Sequence, residues 1–388
     1  MRPTLITTLV CLAAILFSTS SMAEGTKQIW PSGLATEIVG IQFWDNADPE
    51  RQFATYGCDE KYRLNISVTH TSEIIYFGFK EHSSTSANGD LYFRILDSTG
   101  TVVYGPTLVP TAAGPGYIAN WTEANNGPAS LTAGGYNDLS FSPGNTGTYY
   151  IEFNPDNANG PVSIENRRLE FFDITVANGT NVKDGRLYSC NWDLTAFSFS
   201  NRAFSKLFIY SNDGVVSSLD LNGIQPYGFE VQTNGTGPVN TGDPNTDRQS
   251  ITGKSGYPDY LIFLNDPDTL QFPTGNFAGL GPRRPYMHGC SGTYCINVDY
   301  NSSGYAEILL DFNGNSINDS TDILLTKNVV AGYNCYAWDG LDGDGNQVAH
   351  GFNLTSKSTI LAGMTHYPIY DAENHTNGFN VDVVRPTG

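Results

Sequence analysis

The sequence predicts an all-β protein made of tandem β-sandwich modules, jelly-roll-like and immunoglobulin-like. Apolar and polar residues alternate along most of the chain, which is the period of a half-buried strand, and helical periodicity is nearly absent. The 388 residues include 41 Gly and 20 Pro, residue types that mark turns. Aromatic residues make up 12% of the chain, which is enough to fill cores and excludes a disordered protein.

Composition also limits the partners of the chain. It contains 39 acidic and 20 basic residues, so its net charge is −19. An anionic surface poor in Lys and Arg supplies few contacts to phosphates, which disfavours both nucleic acid and acidic membranes, so we expect no nucleic-acid partner. The abundance of Gly excludes a long helical or coiled-coil protein.

The first 23 residues predict a cleavable export signal. Arg2 supplies a positive charge, and residues 5–17 form an apolar stretch. The small residues Ser21 and Ala23 flank Met22, which is the pattern of a cleavage site after Ala23. Because the apolar stretch is shorter than the roughly 20 residues of a membrane span, we expect a secreted or cell-surface protein that is not inserted in a membrane.

After the signal at 1–23, the predicted strands group into three units. We expect one β-sandwich at 24–178, a second at 179–285 and an immunoglobulin-like domain at 286–388, where turn signals have the spacing of such sandwiches. Within the first unit, the Gly- and Asn-rich residues 106–140 predict a long surface excursion. Strand-only units without a βαβ pattern argue against a Rossmann or barrel enzyme.

The second unit contains a change of strand phase. Every second residue from Tyr188 to Leu194 is apolar, which predicts one buried strand face. Beyond them the apolar positions shift to Phe197 and Phe199. We interpret the shift as a bulge or as a strand that passes from one sheet to another.

Five cysteines remain after removal of the signal: Cys58, Cys190, Cys290, Cys295 and Cys335. An odd number leaves at least one free thiol or an intermolecular bond. Cys290 and Cys295 are close enough in sequence to close a small loop, whereas Cys58 reaches Cys190 only if two β-units lie side by side. The absence of a CxxC motif argues against a zinc or redox site.

The strongest candidate site is the 12-residue segment 311–322. Side-chain oxygens recur at its positions 1, 3, 5, 9 and 12, and position 7 offers a main-chain carbonyl, which is the spacing of EF-hand and dockerin loops. Ser316 stands at position 6, where Gly is usual, and the last position has Asp in place of Glu. We keep two interpretations, a calcium site and an Asn/Asp/Gly hairpin loop without an ion. The candidate ligands are Asp311, Asn313, Asn315, Ile317, Asp319 and Asp322.

Two other polar clusters are weaker candidates. An acidic run follows Trp338, and we interpret it as a tight hairpin with Trp338 in the core, with cation binding as the alternative. A His- and acid-rich segment near the end has a spacing that fits no zinc signature. The members of the two clusters are Asp339, Asp342 and Asp344, and His366, Asp371, Glu373 and His375.

Residues 330–351 resemble the FlgD-type immunoglobulin-like repeat. The landmarks of that family are present as Ala331-Gly332, Trp338-Asp339-Gly340, Asp342, Gly345-Asn346, Val348 and Gly351. Phe352 to Leu354 stand where the family continues with a Tyr-bearing strand, so the final hairpin is expected to differ. The resemblance implies an immunoglobulin-like fold for this part of the chain.

More loosely, the chain resembles the N-terminal part of large secreted surface proteins of the gliding-motility or adhesin type from Bacteroidetes-like bacteria. The supporting segments are 209–215, 222–227, 310–314 and 366–374. The resemblance implies export, a role at the cell surface and stacked β-modules, and it implies no catalytic residue. We also expect the chain to continue into further domains of a longer protein.

These observations favour an exported, non-enzymatic surface protein, either adhesin-like or a structural stalk. Its expected partner is an extracellular glycan or protein. No catalytic residue is assigned, and calcium is the one candidate cofactor. The alternative is a carbohydrate-binding accessory module of a secreted polysaccharide-degrading enzyme, with Trp121 as the best candidate for sugar stacking. A third hypothesis is a glycosidase or protease with an unrecognised site, which would need two carboxylates facing one pocket.

Overall fold

The computed structural model describes residues 24–44, 52–83, 90–157, 160–164, 166–252, 256–290, 292–367, 369–370, 374 and 376–387. The export signal expected at 1–23 lies outside the described residues. Strands account for 43% of the structure and helices for 5%, which confirms the predicted all-β class.

The strands follow one another with short helices between a few of them. In chain order they are β1 Gly40–Phe43, β2 Leu64–Val68, β3 Glu73–Glu81, β4 Tyr92–Asp97, β5 Val102–Leu108, β6 Leu139–Phe141, β7 Gly147–Asn154, β8 Arg167–Asn178, β9 Asn181–Lys183, β10 Leu187–Ser189, β11 Asn191–Thr195, β12 Lys206–Tyr210, β13 Val216–Asp220, β14 Gly228–Gln232, β15 Leu261–Phe263, β16 Tyr286–Cys290, β17 Thr293–Tyr300, β18 Gly304–Asp311, β19 Ile323–Val329, β20 Gly332–Trp338, β21 Thr355–Leu361, β22 Ile369–Tyr370 and β23 Asn380–Arg385. The helices are α1 Thr26–Ile29, α2 Trp121–Asn126 and α3 Pro244–Asp247, with a 3-10 turn at Glu60–Tyr62.

Two large antiparallel sheets form one sandwich. Sheet A has the strand order β22-β14-β11-β1-β8-β3-β6, with β9 also paired to β8, and sheet B has the order β23-β13-β12-β15-β10-β2-β7-β4-β5. Side chains of both sheets meet in one apolar core, to which sheet A contributes Ile41 and Phe77 and sheet B contributes Phe93 and Ile209. Burial of one face of each sheet is what holds such a two-layer structure together.

The sheets do not divide the chain at residue 178, where the sequence analysis places a boundary. β1 lies between β8 and β11, and β2 lies between β7 and β10. The units expected at 24–178 and 179–285 therefore share both sheets and one core. The reason for the difference is that period-2 alternation specifies strands but not their long-range partners.

Aromatic side chains occupy the centre of the shared core. The rings of Phe43 and Phe153 lie 4.7 Å apart, and the rings of Phe53 and Trp192 lie 5.4 Å apart. Trp192 also donates a hydrogen bond from Nε1 to the carbonyl of Ile262 at 3.0 Å. The contact between Phe53 and Trp192 joins the parts of the chain before and after residue 178.

The chain crosses from one sheet to the other at Cys190. β10 pairs with β2 in sheet B, and β11 pairs with β1 in sheet A. Tyr188 consequently packs against Phe263 outside the core, with ring centroids 5.0 Å apart, while Trp192 points into it. The crossing was expected near Phe197, where the backbone instead makes a turn with a φ of 60°.

Residues 106–140 are only partly a surface excursion. They contain α2 and β6, and some of their side chains form a small second core on the outer face of sheet A. The ring of Tyr136 lies so close to Gly78 that a Cβ there would approach it to 2.4 Å. The buried members of this cluster are Trp30, Ile118, Ala124, Tyr136 and Phe171.

β16 to β21 form a second, smaller sandwich. Its sheets have the orders β16-β17-β20 and β19-β18-β21, and its core includes Ile296, Ile308 and Leu310. β22 and β23 do not belong to it, because β22 pairs with β14 in sheet A and β23 with β13 in sheet B. The domain expected at 286–388 is therefore a smaller insertion, at 286–361, within the large sandwich.

One disulfide bond lies in the small sandwich. Cys295 on β17 and Cys335 on β20 are bonded, with their Cα atoms 5.3 Å apart. Cys290 is free and exposed, so the small loop considered between Cys290 and Cys295 does not form. Cys58 and Cys190 are free as well.

We expect Phe93→Ala and Trp192→Ala to destabilise the same unfolding transition, because both side chains fill one core. Each substitution should lower the free energy of unfolding by about 3–5 kcal/mol, the usual range for an aromatic core residue. Differential scanning calorimetry of the full chain measures the effect.

Two control variants accompany this experiment. Leu270→Ala should change nothing, because Leu270 is 83% exposed, whereas Leu310→Ala should lower a separate transition of the small sandwich. If Phe93→Ala and Trp192→Ala affected two different transitions, the shared core would be contradicted.

Candidate functional site

The predicted cation loop connects β18 to β19 in the small sandwich. Leu310 and Ile323 are register partners, so residues 311–322 close a hairpin between them. Asp311 and Asp322, at the two ends of the loop, are buried, while the residues between them are mostly exposed. The two end carboxylates thus sit at the base of a loop that projects into solvent.

Backbone amides hold the two end carboxylates in place. Asp311 accepts hydrogen bonds from the amides of Gly314 at 2.6 Å and Ser316 at 2.8 Å. Asp322 accepts hydrogen bonds from the amides of Phe312 at 2.8 Å and Asp319 at 3.3 Å. Because an ionised carboxylate has about four lone-pair sites, these bonds orient both groups and leave further acceptor capacity.

Asp319 gathers side chains from the middle of the loop. It accepts hydrogen bonds from the side-chain amides of Asn313 at 2.7 Å and Asn315 at 2.9 Å, and from the Thr321 hydroxyl at 2.9 Å. These donors, led by Asn313, lower the pKa of Asp319 to about 2. The carboxylate is therefore ionised over the whole physiological range of pH.

The loop makes its sharp bend although Ser replaces Gly at position 6. Ser316 has a φ of 61°, in the left-handed region that favours glycine, and Gly314 has a φ of 75°. The departure at position 6 therefore does not prevent the turn that such loops need.

The oxygen atoms of the loop suit a hard cation, which prefers carboxylate, amide and carbonyl ligands. Among the described residues, however, no group of three or more His, Cys, Asp and Glu side chains is placed to hold a metal ion. A calcium ion here would thus depend on Asn313, Asn315 and the carbonyl of Ile317 as well as on carboxylates. The same hydrogen bonds also stabilise an ion-free hairpin, so the geometry agrees with both interpretations.

The acidic run after Trp338 is a hairpin that closes on itself. Asp342 accepts hydrogen bonds from the amides of Asp344 at 3.1 Å and Asn346 at 2.8 Å. Trp338 is buried, and its Nε1 donates to the carbonyl of Leu341 at 2.8 Å. This arrangement agrees with the interpretation of a tight hairpin with the tryptophan in the core.

The structure describes only part of the remaining candidates. His366 pairs through its backbone with Asn234, and the other members of its cluster, Asp371, Glu373 and His375, lie outside the described residues. Trp121 is not an exposed stacking platform, because it donates from Nε1 to the carbonyl of Trp30 at 2.8 Å and covers Gly33.

A cleft of about 300 Å³ lies between the two sandwiches. Its wall on the large sandwich includes Thr236, Arg248 and Tyr260, and its wall on the small sandwich includes Tyr305 and Leu361. Junctions between domains are a common location for ligand sites.

Arg248 and Tyr305 make the main contact across this cleft. The guanidinium lies 4.8 Å from the centroid of the Tyr305 ring, which is a cation–π contact. On the same side, the hydroxyl of Tyr260 donates to the carbonyl of Met364 at 3.0 Å, in the chain that leaves the small sandwich. The cleft therefore presents aromatic faces, a cation and hydroxyl groups.

The carboxylates of the cleft are committed to the backbone. Asp213 accepts a hydrogen bond from the amide of Gly363 at 2.6 Å. Asp247 accepts from the amide of Thr241 at 2.6 Å and from that of Gly242 at 3.2 Å. Burial pushes the pKa of Asp247 upward, but these donors outweigh it, so the pKa lies below its ordinary value. Asp247 is therefore unsuited to act as a general acid.

The cleft is not visible in the sequence. Its residues come from Asp213, from residues 235–248 and Tyr260 of the large sandwich, from β18, β19 and the end of β21, and from Met364, and only the insertion of the small sandwich brings them together. The one local signal is Arg248, the single arginine of a loop rich in Gly, Asn and Thr.

No helix among the described residues is long and apolar enough to cross a membrane. No protein-family model matches the sequence, and no curated protein matches it. Among solved structures, the chain is similar to the N-terminal CBM22-1-CBM22-2 tandem domain of Xyn10C from Paenibacillus barcinonensis, with 10% identity over 94% of this chain and 99% of that one. The TM-score is 0.18, so this similarity carries no argument about function.

Proposed function

We propose that the chain is an exported, non-enzymatic β-protein of the cell surface, adhesin-like or a structural stalk. The observation that carries the proposal is the insertion of the small sandwich into the large one through two chain connections. Both of its ends enter the large sandwich, one after β15 and the other before β22, and the large sandwich has one continuous core. An inserted domain with two connections moves less than a domain held by one linker. The large sandwich can therefore serve as a rigid base that presents the small sandwich.

Electrostatics supports a non-enzymatic role. Asp247 holds loop amides, and its pKa lies below its ordinary value, whereas acid–base catalysis by paired carboxylates needs one with a raised pKa. The kinship suggested by the resemblances to FlgD-type repeats and to gliding-motility surface proteins is part of this proposal. The proposed partner is an extracellular glycan or protein.

We propose further that the loop 311–322 binds calcium and stiffens the small sandwich. Three carboxylates fall within this 12-residue segment, and a divalent cation would offset their mutual repulsion. The residues that would hold the ion are Asp311, Asn313, Asn315, Asp319 and Asp322 through side-chain oxygens and Ile317 through its carbonyl.

A second candidate function is carbohydrate binding at the cleft between the sandwiches. Hydroxyl groups, an arginine and aromatic rings converge there, and such groups bind uncharged polar ligands through hydrogen bonds and ring contacts. In this candidate, Arg248 and Tyr305 contact the glycan directly.

Protease treatment of intact cells tests the primary proposal. When the full chain is produced in a bacterium with a single membrane, its β-modules should be digested by external protease while a cytoplasmic marker survives, because the export signal carries them across that membrane. A matched chain without residues 2–23 should stay protected. Protection of the full chain, or a polysaccharide-hydrolysing activity lost on a single carboxylate substitution, would contradict the proposal.

Calcium should raise the unfolding temperature of the small sandwich, because a ligand that binds only the folded state stabilises it. At a free calcium concentration of 100 times Kd the gain is about 2.7 kcal/mol. Calorimetry in excess calcium and in chelator measures it. Asp319→Ala should abolish the response and Asp342→Ala, in the neighbouring hairpin, should keep it. Equal unfolding temperatures in calcium and chelator would rule the site out.

A glycan array followed by titration calorimetry tests the cleft. Arg248→Ala and Tyr305→Ala should each weaken binding of a selected glycan by about tenfold or more, the effect of losing roughly 1.4 kcal/mol. Arg202→Ala, an exposed arginine away from the cleft, is the control. If no glycan binds, or if the three variants bind equally, carbohydrate binding at this cleft is excluded.

A further inference from the structure

Glu24, the first residue after the expected signal cleavage site, is held unusually firmly for a residue in that position. Its side chain is fully buried. The carboxylate accepts hydrogen bonds from the amides of Gly185 at 2.8 Å and of Arg186 and Leu187 at 3.0 Å, and from the side chain of Asn265 at 3.0 Å. Four donors on one carboxylate fix this residue to the turn that precedes β10.

The backbone next to Glu24 is also fixed, against β8. The amide of Ile174 donates to the carbonyl of Glu24 at 2.9 Å, and Gly25 forms a bridge with Asp173. The approach at Gly25 is so close that a Cβ there would lie 2.2 Å from the carbonyl oxygen of Phe172. Only glycine allows the two backbones to meet in this way.

The nitrogen of Glu24 begins a buried hydrogen-bond chain. It donates to Oγ1 of Thr175 at 3.4 Å, and that hydroxyl donates to the carboxylate of Asp173 at 3.0 Å. The hydroxyl of Tyr136 donates to the same carboxylate at 2.6 Å. Burying a carboxylate in this way is costly, and a nearby positive charge offsets the cost; the charge of Lys27 already acts on Asp173.

We propose that cleavage after Ala23 turns the nitrogen of Glu24 into an α-ammonium group that stays in this buried position, bonded through Thr175 to Asp173, as a structural part of the mature fold. The inference rests on the export that we propose as part of the function. In the step itself, a signal-cleaving protease adds water across the Ala23–Glu24 peptide bond. The hydroxyl goes to the Ala23 carbonyl carbon, and the leaving amine takes up the protons, which gives one carboxylate and one ammonium group.

The electrostatics of the pocket favours the ammonium. Burial raises the pKa of Asp173 to about 7 and that of Glu24 to about 8. The α-ammonium group belongs to Glu24 and is separated from Asp173 only by the Thr175 hydroxyl. Its positive charge therefore stabilises the ionised forms of both carboxylates. An ammonium can donate up to three hydrogen bonds where an amide donates one, and its bond to Oγ1 of Thr175 would be charge-assisted and therefore stronger.

The experiment begins with the exported full chain and then compares two mature chains. Mass spectrometry of the exported protein should find Glu24 as the first residue. A chain that starts at Glu24 should then unfold about 2–4 °C above the same chain that retains Ala23, as expected for the loss of one charged hydrogen bond. In the folded chain, the α-amine of Glu24 should react with an acylating reagent at least tenfold more slowly than in the unfolded chain.

Thr175→Val separates the hydrogen-bond chain from simple crowding by Ala23. When both chains carry Thr175→Val, the unfolding temperatures of the chain that starts at Glu24 and the chain that retains Ala23 should differ by less than about 1 °C, because the link to Asp173 is gone. With Thr175→Ser in both chains, the difference should return. If Thr175→Val does not fold, Thr175→Ser and the acylation rate still test the inference.

The outcomes distinguish the inference from the proposed function. A first residue other than Glu24 in the exported protein would overturn both the cleavage site and the inference. If Glu24 is first, but Ala23 leaves the unfolding temperature unchanged or the α-amine reacts as fast as in the unfolded chain, only the inference falls and export stands.

Discussion

Packing of aromatic rings between sheets A and B is the interaction on which the rest of the structure depends. Phe53 and Phe153 come from the first part of the chain, and Trp192, which contacts Phe53, comes from beyond residue 178. Neither set of strands could bury its apolar face without the other. The shared core fixes β15 and β22, and therefore the two points at which the small sandwich is attached. The cleft beside Arg248 is a product of that attachment.

Local pattern in the sequence is sufficient for strand positions but not for strand partners. The alternation around residues 293–338 predicts β17 to β20 because each strand is readable within about eight residues. The pairing of β23 with β13 depends on contacts between residues more than 150 apart, and nothing in residues 380–385 specifies it. The change of sheet at Cys190 could not be predicted for the same reason. The apolar alternation continues through Cys190 without a break, although the strand partners change there.

The candidate sites also differ in how far they can be predicted from local sequence. The loop 311–322 is contiguous, so the spacing of its oxygens can be read directly, and the structure places it as a hairpin end as the spacing suggests. The cleft and the pocket around Glu24 are assembled from distant segments. Thr175 and Asp173 look like ordinary outward positions of β8 in sequence, and only the fold shows that a second segment covers them.

The insertion of the small sandwich has a consequence for the order in which the protein is made. β22 and β23 leave the ribosome only after the whole small sandwich, yet they pair with β14 and β13 at the edges of the large sandwich. At roughly 5–20 residues per second, residues 264–385 take roughly 6–24 s to synthesise, and until then both edges lack a neighbour. Unpaired edges invite association between nascent chains. Because β22 and β23 follow the small sandwich in the chain, the edges at β14 and β13 are exposed for longer during synthesis than they would be without the insertion.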